Sequence, residues 1–208
     1  MKKIVIGLGL GSALLLGACG GDIDEKNNRP VTSQEEKKEE VADNKVEKKE
    51  QKEKALGVRS NPLPLGDTIT TKVAIYDDSF NSYAANLDLK IASITRGEEA
   101  WQQILAENQF NSEPDEGMEY VLVKVEALLK DAETEDDSYN LSSYSFKTVS
   151  ADGKEYPHVM VVVPSGLDAK LYNGGATEGH VIGQVRVGED FFLSFNGTEG
   201  SPVFFQAK

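Results

Sequence analysis

The chain has 208 residues, one cysteine and a formal net charge of −13. Residues 67–208 hold 24 acids against 10 bases, and so acidic a surface repels nucleic acid and anionic lipid headgroups. It remains compatible with simple solubility and with cation binding, while a lone cysteine excludes an intrachain disulfide framework.

Lys2 and Lys3 precede an apolar run from Ile4 to Leu16, and the small residues Gly17 and Ala18 follow it. This is the order of a signal peptide, and the run falls short of the roughly 18 residues that a membrane span requires. Leu16-Gly17-Ala18-Cys19 resembles the lipobox of bacterial lipoproteins. The resemblance implies that residues 1–18 are a lipoprotein signal peptide and that Cys19 carries a diacylglyceryl group. Membrane lipid is then a partner through this anchor, and the chain sits on the extracellular face of the cell membrane. Two acyl chains hold a protein stably where one holds it marginally.

Residues 19–66 read as a charged tether. Positions 22–59 carry 11 acids and 10 bases with few apolar residues, too few to bury a core. Ser33 and Glu36 fit a capping box, and Gln34 to Leu56 is rich in helix formers, so the tether is either disordered or a lone helix. Asn61-Pro62-Leu63-Pro64-Leu65-Gly66 ends it, because Pro and Gly punctuate structure.

From residue 67 onward the periodicity is that of strands. Ile69–Tyr76 is rich in β-branched residues, Leu87–Ile94 alternates apolar with polar, and Tyr120–Leu128 has the apolar content of a central strand. Ser145–Val149 leads through the Asp152-Gly153 turn to an expected strand from Tyr156 to Val163. Gly179–Val187, Phe191–Phe195 and Val203–Gln206 complete the set. Gly97–Asn108 interrupts it as a helix, with Trp101, Ile104 and Leu105 on one face and Glu98 and Glu99 in the first turn, where the helix dipole favours acids. About seven or eight short strands with turns between them make an all-β sandwich with one short inserted helix.

Arg96-Gly97-Glu98-Glu99-Ala100, Asn108-Gln109-Phe110-Asn111 and Glu116-Gly117-Met118-Glu119-Tyr120-Val121 are followed by Phe146, Gly153, Tyr156 and Gly174-Gly175-Ala176-Thr177-Glu178-Gly179. This pattern resembles the telokin-like, immunoglobulin-like domain of unknown function carried by Gram-positive lipoproteins. The resemblance implies an immunoglobulin-like sandwich over residues 67–208 and carries no activity over to any residue.

The chemistry-bearing residues are scattered. His158 and His180 each stand alone on an expected strand, whereas zinc wants three or four ligands. Ser79, Ser142, Ser143, Ser145 and Ser165 lack a nucleophile elbow. The neighbours Asp77-Asp78 and Glu98-Glu99 do not share a face on a strand or a helix. The glycines match neither phosphate-binding spacing. Asp131, Glu133, Glu135, Asp136 and Asp137 are the one candidate cation loop, since calcium takes six to eight oxygens, but the EF-hand order is missing. The adjacent pairs Phe191-Phe192 and Phe204-Phe205 must each turn one ring away from the sandwich core, and packing under the helix is the expected fate of those rings. The expectation is a non-catalytic binding or structural module of the cell envelope, with a protein or cell-wall partner and no cofactor. The alternative is a surface protein that binds a ligand or divalent cation, or an extracellular enzyme.

Overall fold

Aliphatic and polar residues alternate along most of the domain, and the backbone follows them into strands. The computed structural model describes residues 55–208; the expected signal peptide, Cys19 and the expected tether up to residue 54 lie outside the described residues. In chain order the elements are β1 (Thr68–Tyr76), β2 (Ser82–Arg96), α1 (Gly97–Glu107), β3 (Met118–Lys130), β4 (Tyr139–Ser142), β5 (Phe146–Ser150), β6 (Asp168–Leu171), β7 (Ala176–Arg186), β8 (Phe191–Phe195) and β9 (Val203–Ala207).

The fold is an all-β sandwich with one short helix. A four-stranded antiparallel sheet runs β1-β2-β3-β7, a three-stranded one runs β5-β8-β9, and β4 pairs with β6. Every second residue of the large sheet points inward. Leu87, Leu89 and Ile91 of β2, Val121, Val123 and Val125 of β3, and Val181 and Val185 of β7 meet Phe146, Phe191, Leu193, Phe195 and Phe205 from the smaller sheet. Burying such side chains stabilises by about 1.5–3 kcal/mol each.

Most expected elements are present, and the helix ends within one residue of its expected position. Four readings change. The segment from Tyr156 to Val163 joins no ladder, because Pro157 and Pro164 bracket it and remove amide donors. The pair β4 and β6, four residues each, was not foreseen.

The domain also begins before residue 67. Leu63 is wholly buried, its N–H donates to Phe204 O and its carbonyl accepts from Gln206 N, both at 2.8 Å. Gly57 accepts from Phe204 N at 2.7 Å, so residues 57–66 are part of the sandwich rather than of a tether. Finally, Phe192 and Phe204 are half-buried on the smaller sheet, and the cluster beneath the helix contains neither of them.

Candidate functional site

Period two along β3 sends Tyr120, Leu122, Lys124, Glu126, Leu128 and Lys130 to the outer face of the large sheet, where chemistry changes halfway along. The far half is a charged ladder. Lys90 meets Glu126 at 2.9 Å, Lys130 meets Asp88 at 2.7 Å and Lys124 meets Glu178 at 3.0 Å. Burial opposes ionisation of Asp88, but hydrogen bonds from Lys130 and Thr70 outweigh it and hold the carboxyl below its usual range. A shallow groove of about 530 Å³ crosses this half, with Asp88, Lys90, Glu126 and Glu178 on its walls already engaged in these ion pairs.

The near half is apolar and covered. β2 runs directly into α1 through Gly97, whose φ of +63° an L side chain rarely adopts. A Cβ there would also lie 2.9 Å from Glu119 Oε2. The junction is pinned by Arg96, which donates to Glu119 Oε1 at 2.5 Å and to Glu189 O at 2.9 Å; Glu119 in turn accepts from Gly188 N at 2.8 Å. α1 then lays Ala100 and Ile104 on Tyr120, Leu122 and Ile182. Trp101 is half-buried at the margin, its ring 6.0 Å from that of Tyr120. The buried stripe is thus centred on Ala100 and Ile104; of the expected Trp101, Ile104 and Leu105, Ile104 is buried while the other two are only half-buried.

Beside the helix lies the unladdered segment. His158, Met160 and Val162 are exposed while Val159, Val161 and Val163 are half-buried, and the three valines pack on the same cluster as α1. This alternation marks extended backbone. Asn111 holds it from one side: Nδ2 donates to Val162 O at 2.8 Å and Oδ1 accepts from Val162 N at 2.9 Å. Around it Phe110 is 84% exposed, Met160 79%, Tyr144 62% and Val162 52%. Tyr144 stacks on His158 with centroids 4.6 Å apart. Partial desolvation, and then the charge of Lys147, holds the His158 imidazole below its ordinary value.

Two hollows follow this segment, and a third adjoins them near the start of α1. One of about 420 Å³ is lined by Phe110, Tyr144 and His158 to Val163. A second of about 340 Å³ is lined by Asp115, Met118 and Pro157 to Val159. A third of about 500 Å³ is lined by Trp101, Glu98, Glu113 and Met118. Shared linings, His158 and Val159 between the first two and Met118 between the last two, make them one continuous track.

Of the chemistry-bearing residues singled out from sequence, His158, His180, Trp101, Glu98 and Ser143 line these hollows, and the others are not gathered here. His180 Nδ1 lies 2.7 Å from Pro164 O. In the acidic loop, Glu133 accepts from Ala84 N, Asp131 from Asn86, Glu135 from Asn173 and Asp137 from Thr134. These carboxylates serve separate loop contacts, and among the described residues no three His, Cys, Asp or Glu side chains are grouped as metal ligands. Asp77 closes its own turn: hydrogen bonds from Asn81 and Ser79 hold it below the usual carboxylate range. Cys19 lies outside the described residues, among which no helix is long and apolar enough to cross a membrane. Sequence reading missed Asn111, Met160 and Val162 as surface-forming residues. The signal available was an apolar run bracketed by two prolines.

No family model matches the chain, and no curated protein matches it. Among solved structures, the chain is similar to the crystal structure of a "putative lipoprotein (ycdA)" from Bacillus subtilis, at 14% identity and a TM-score of 0.41. The match covers 67% of this chain and 38% of that one.

Proposed function

We propose that the chain is a lipid-anchored protein of the outer cell surface whose β-sandwich serves as a non-catalytic binding module of the cell envelope. The anchor is Cys19, on the strength of the lipobox-like Leu16-Gly17-Ala18-Cys19. The observation that carries the binding role is the track beside α1, where Phe110, Tyr144, Met160 and Val162 gather in the open. Apolar side chains exposed together mark interaction sites, whereas single ones need no explanation. The opposite half of the same face has its charges paired with one another, so it offers a partner less.

Site-specific photo-crosslinking on intact cells tests the reading. A photoreactive residue in place of Met160 or of Phe110 is expected to give the same discrete adduct, and one in place of Lys72, an exposed residue of β1, to give none. Failure of both track positions to crosslink, or equal labelling from Lys72, overturns it.

A further inference from the structure

We propose that the segment His158–Val163 accepts an extended, cationic peptide segment of a partner protein as an added β-strand. The inference rests on the binding-module reading and names its mode and its ligand.

The first observation is an open strand edge. His158, Val159, Met160, Val161 and Val163 make no backbone hydrogen bond among the described residues, although each non-proline residue carries a donor and an acceptor that seek partners. Val162 shows that the edge is competent to pair. It exchanges two hydrogen bonds with the Asn111 amide, the pattern that two facing residues make in an antiparallel ladder. In extended backbone the amides of His158 and Met160 share the edge used by Val162, and those of Val159, Val161 and Val163 face the other. Native edges are usually blunted by lysine, a bulge or a cover. Here the exposed side chains are His158, Met160 and Val162, and the last two can pack the alternate apolar side chains of an incoming strand.

The second observation is charge. Between Arg96 and Lys124 the chain holds seven acids and no base. Four of these acids line the track, and one of them, Glu119, is already paired with Arg96. Asp115 lines a hollow with His158 and Val159, and Glu98 and Glu113 line the next one with the half-buried Trp101. Carboxylates beside an indole ring suit a lysine or arginine side chain, through Coulomb attraction and the face of the ring. The same acids argue against a second copy of this chain, because a two-fold interface would set the patch against itself.

The test uses the full chain in nanodiscs of zwitterionic lipid and three capped peptides of about eight residues, the length of an ordinary strand. The first alternates valine with lysine, the second valine with glutamate, and the third is the first with alternate amides N-methylated. Hydrogen exchange is read by mass spectrometry. The lysine peptide is expected to slow exchange at His158–Val163 by about tenfold, saturably and less at high salt. The other two peptides should have no such effect, and Met160→Lys should abolish it.

Equal binding of the N-methylated peptide overturns the proposal, because contact would then need no strand pairing. So does unchanged exchange at saturating lysine peptide. Protection of the same amides on self-association, seen as a dimer by sedimentation, also overturns it and makes a second copy the occupant. If Met160 still crosslinks on cells while exchange is unchanged, this inference fails alone; if neither responds, the binding-module reading fails with it.

Discussion

Gly183 offers the most direct test of how the two sheets meet. It lies in β7 opposite Val121, and a Cβ built on it would sit 2.3 Å from Thr148 Cγ2 and 3.0 Å from Val121 Cγ2. Thr148 belongs to β5, in the other sheet. Carbon atoms pack best at about 3.5–4.0 Å, so Gly183→Ala must push the sheets apart or turn Thr148. Overpacking of this kind costs about 1–3 kcal/mol, and alanine returns about 0.4–1 kcal/mol by restricting the unfolded chain. The net expectation is a loss of about 1.3 kcal/mol, or about 3–5 °C in Tm for a domain of this size. Thr148→Ser deletes the offending methyl and keeps the hydroxyl, at a cost of about 1 kcal/mol by itself. In the double variant the collision is largely gone, so the losses should fall short of additive by at least about 1 kcal/mol. Urea unfolding followed by far-UV circular dichroism, with m unchanged across the four proteins, reads these quantities. Additivity within about 0.5 kcal/mol, or a Gly183→Ala protein as stable as the parent, would refute the packing argument.

Leu63→Ala should cost about 2–4 kcal/mol by the same urea assay, because the side chain is wholly buried; a loss below about 0.5 kcal/mol would return residues 57–66 to the tether. Burial pushes the Tyr139 hydroxyl up to about 12, so the fold keeps a proton that the unfolded chain releases near pH 10. The associated stability is complete below about pH 10 and lost as pH rises through about 12; Tyr139→Phe should flatten that alkaline loss, and an identical slope in both proteins would contradict it. Cys19→Ala should abolish incorporation of a clickable fatty acid in growing cells, and equal labelling of the variant would remove the anchor from the proposed function.

The strands of the large sheet were legible from different signals: β-branched residues in β1, alternation in β2 and apolar content in β3. The helix was legible from its apolar stripe, though its buried centre proved to be Ala100, whose small side chain gives little hydrophobic signal. Tyr156–Val163 shows the limit of pattern. Its apolar run reads like a strand, and Val159, Val161 and Val163 do face a core, but pairing depends on what lies beside it, and two prolines isolate it. Residues 57–66 misled in the opposite sense. Their prolines and glycine read as punctuation, while a single buried leucine and three backbone hydrogen bonds bind them to β9. The candidate site was hardest to see. Phe110, Met160 and Val162 come from different segments, and only the fold brings them to one track.

The pairing of Leu63 with β9 has a mechanical consequence. A pull on the N-terminal side of the chain reaches the sandwich first at Gly57, then at Leu63, and both residues are bonded to the strand that ends the chain. Leu63 runs parallel to Phe205, so once the Gly57 bond has given way a force along the segment loads the two Leu63 bonds together and must shear them at once. A force across it would open them in turn. Resistance to tension is therefore set by direction, and the short stretch that looks like the end of a flexible leash is the clasp through which the domain would bear load.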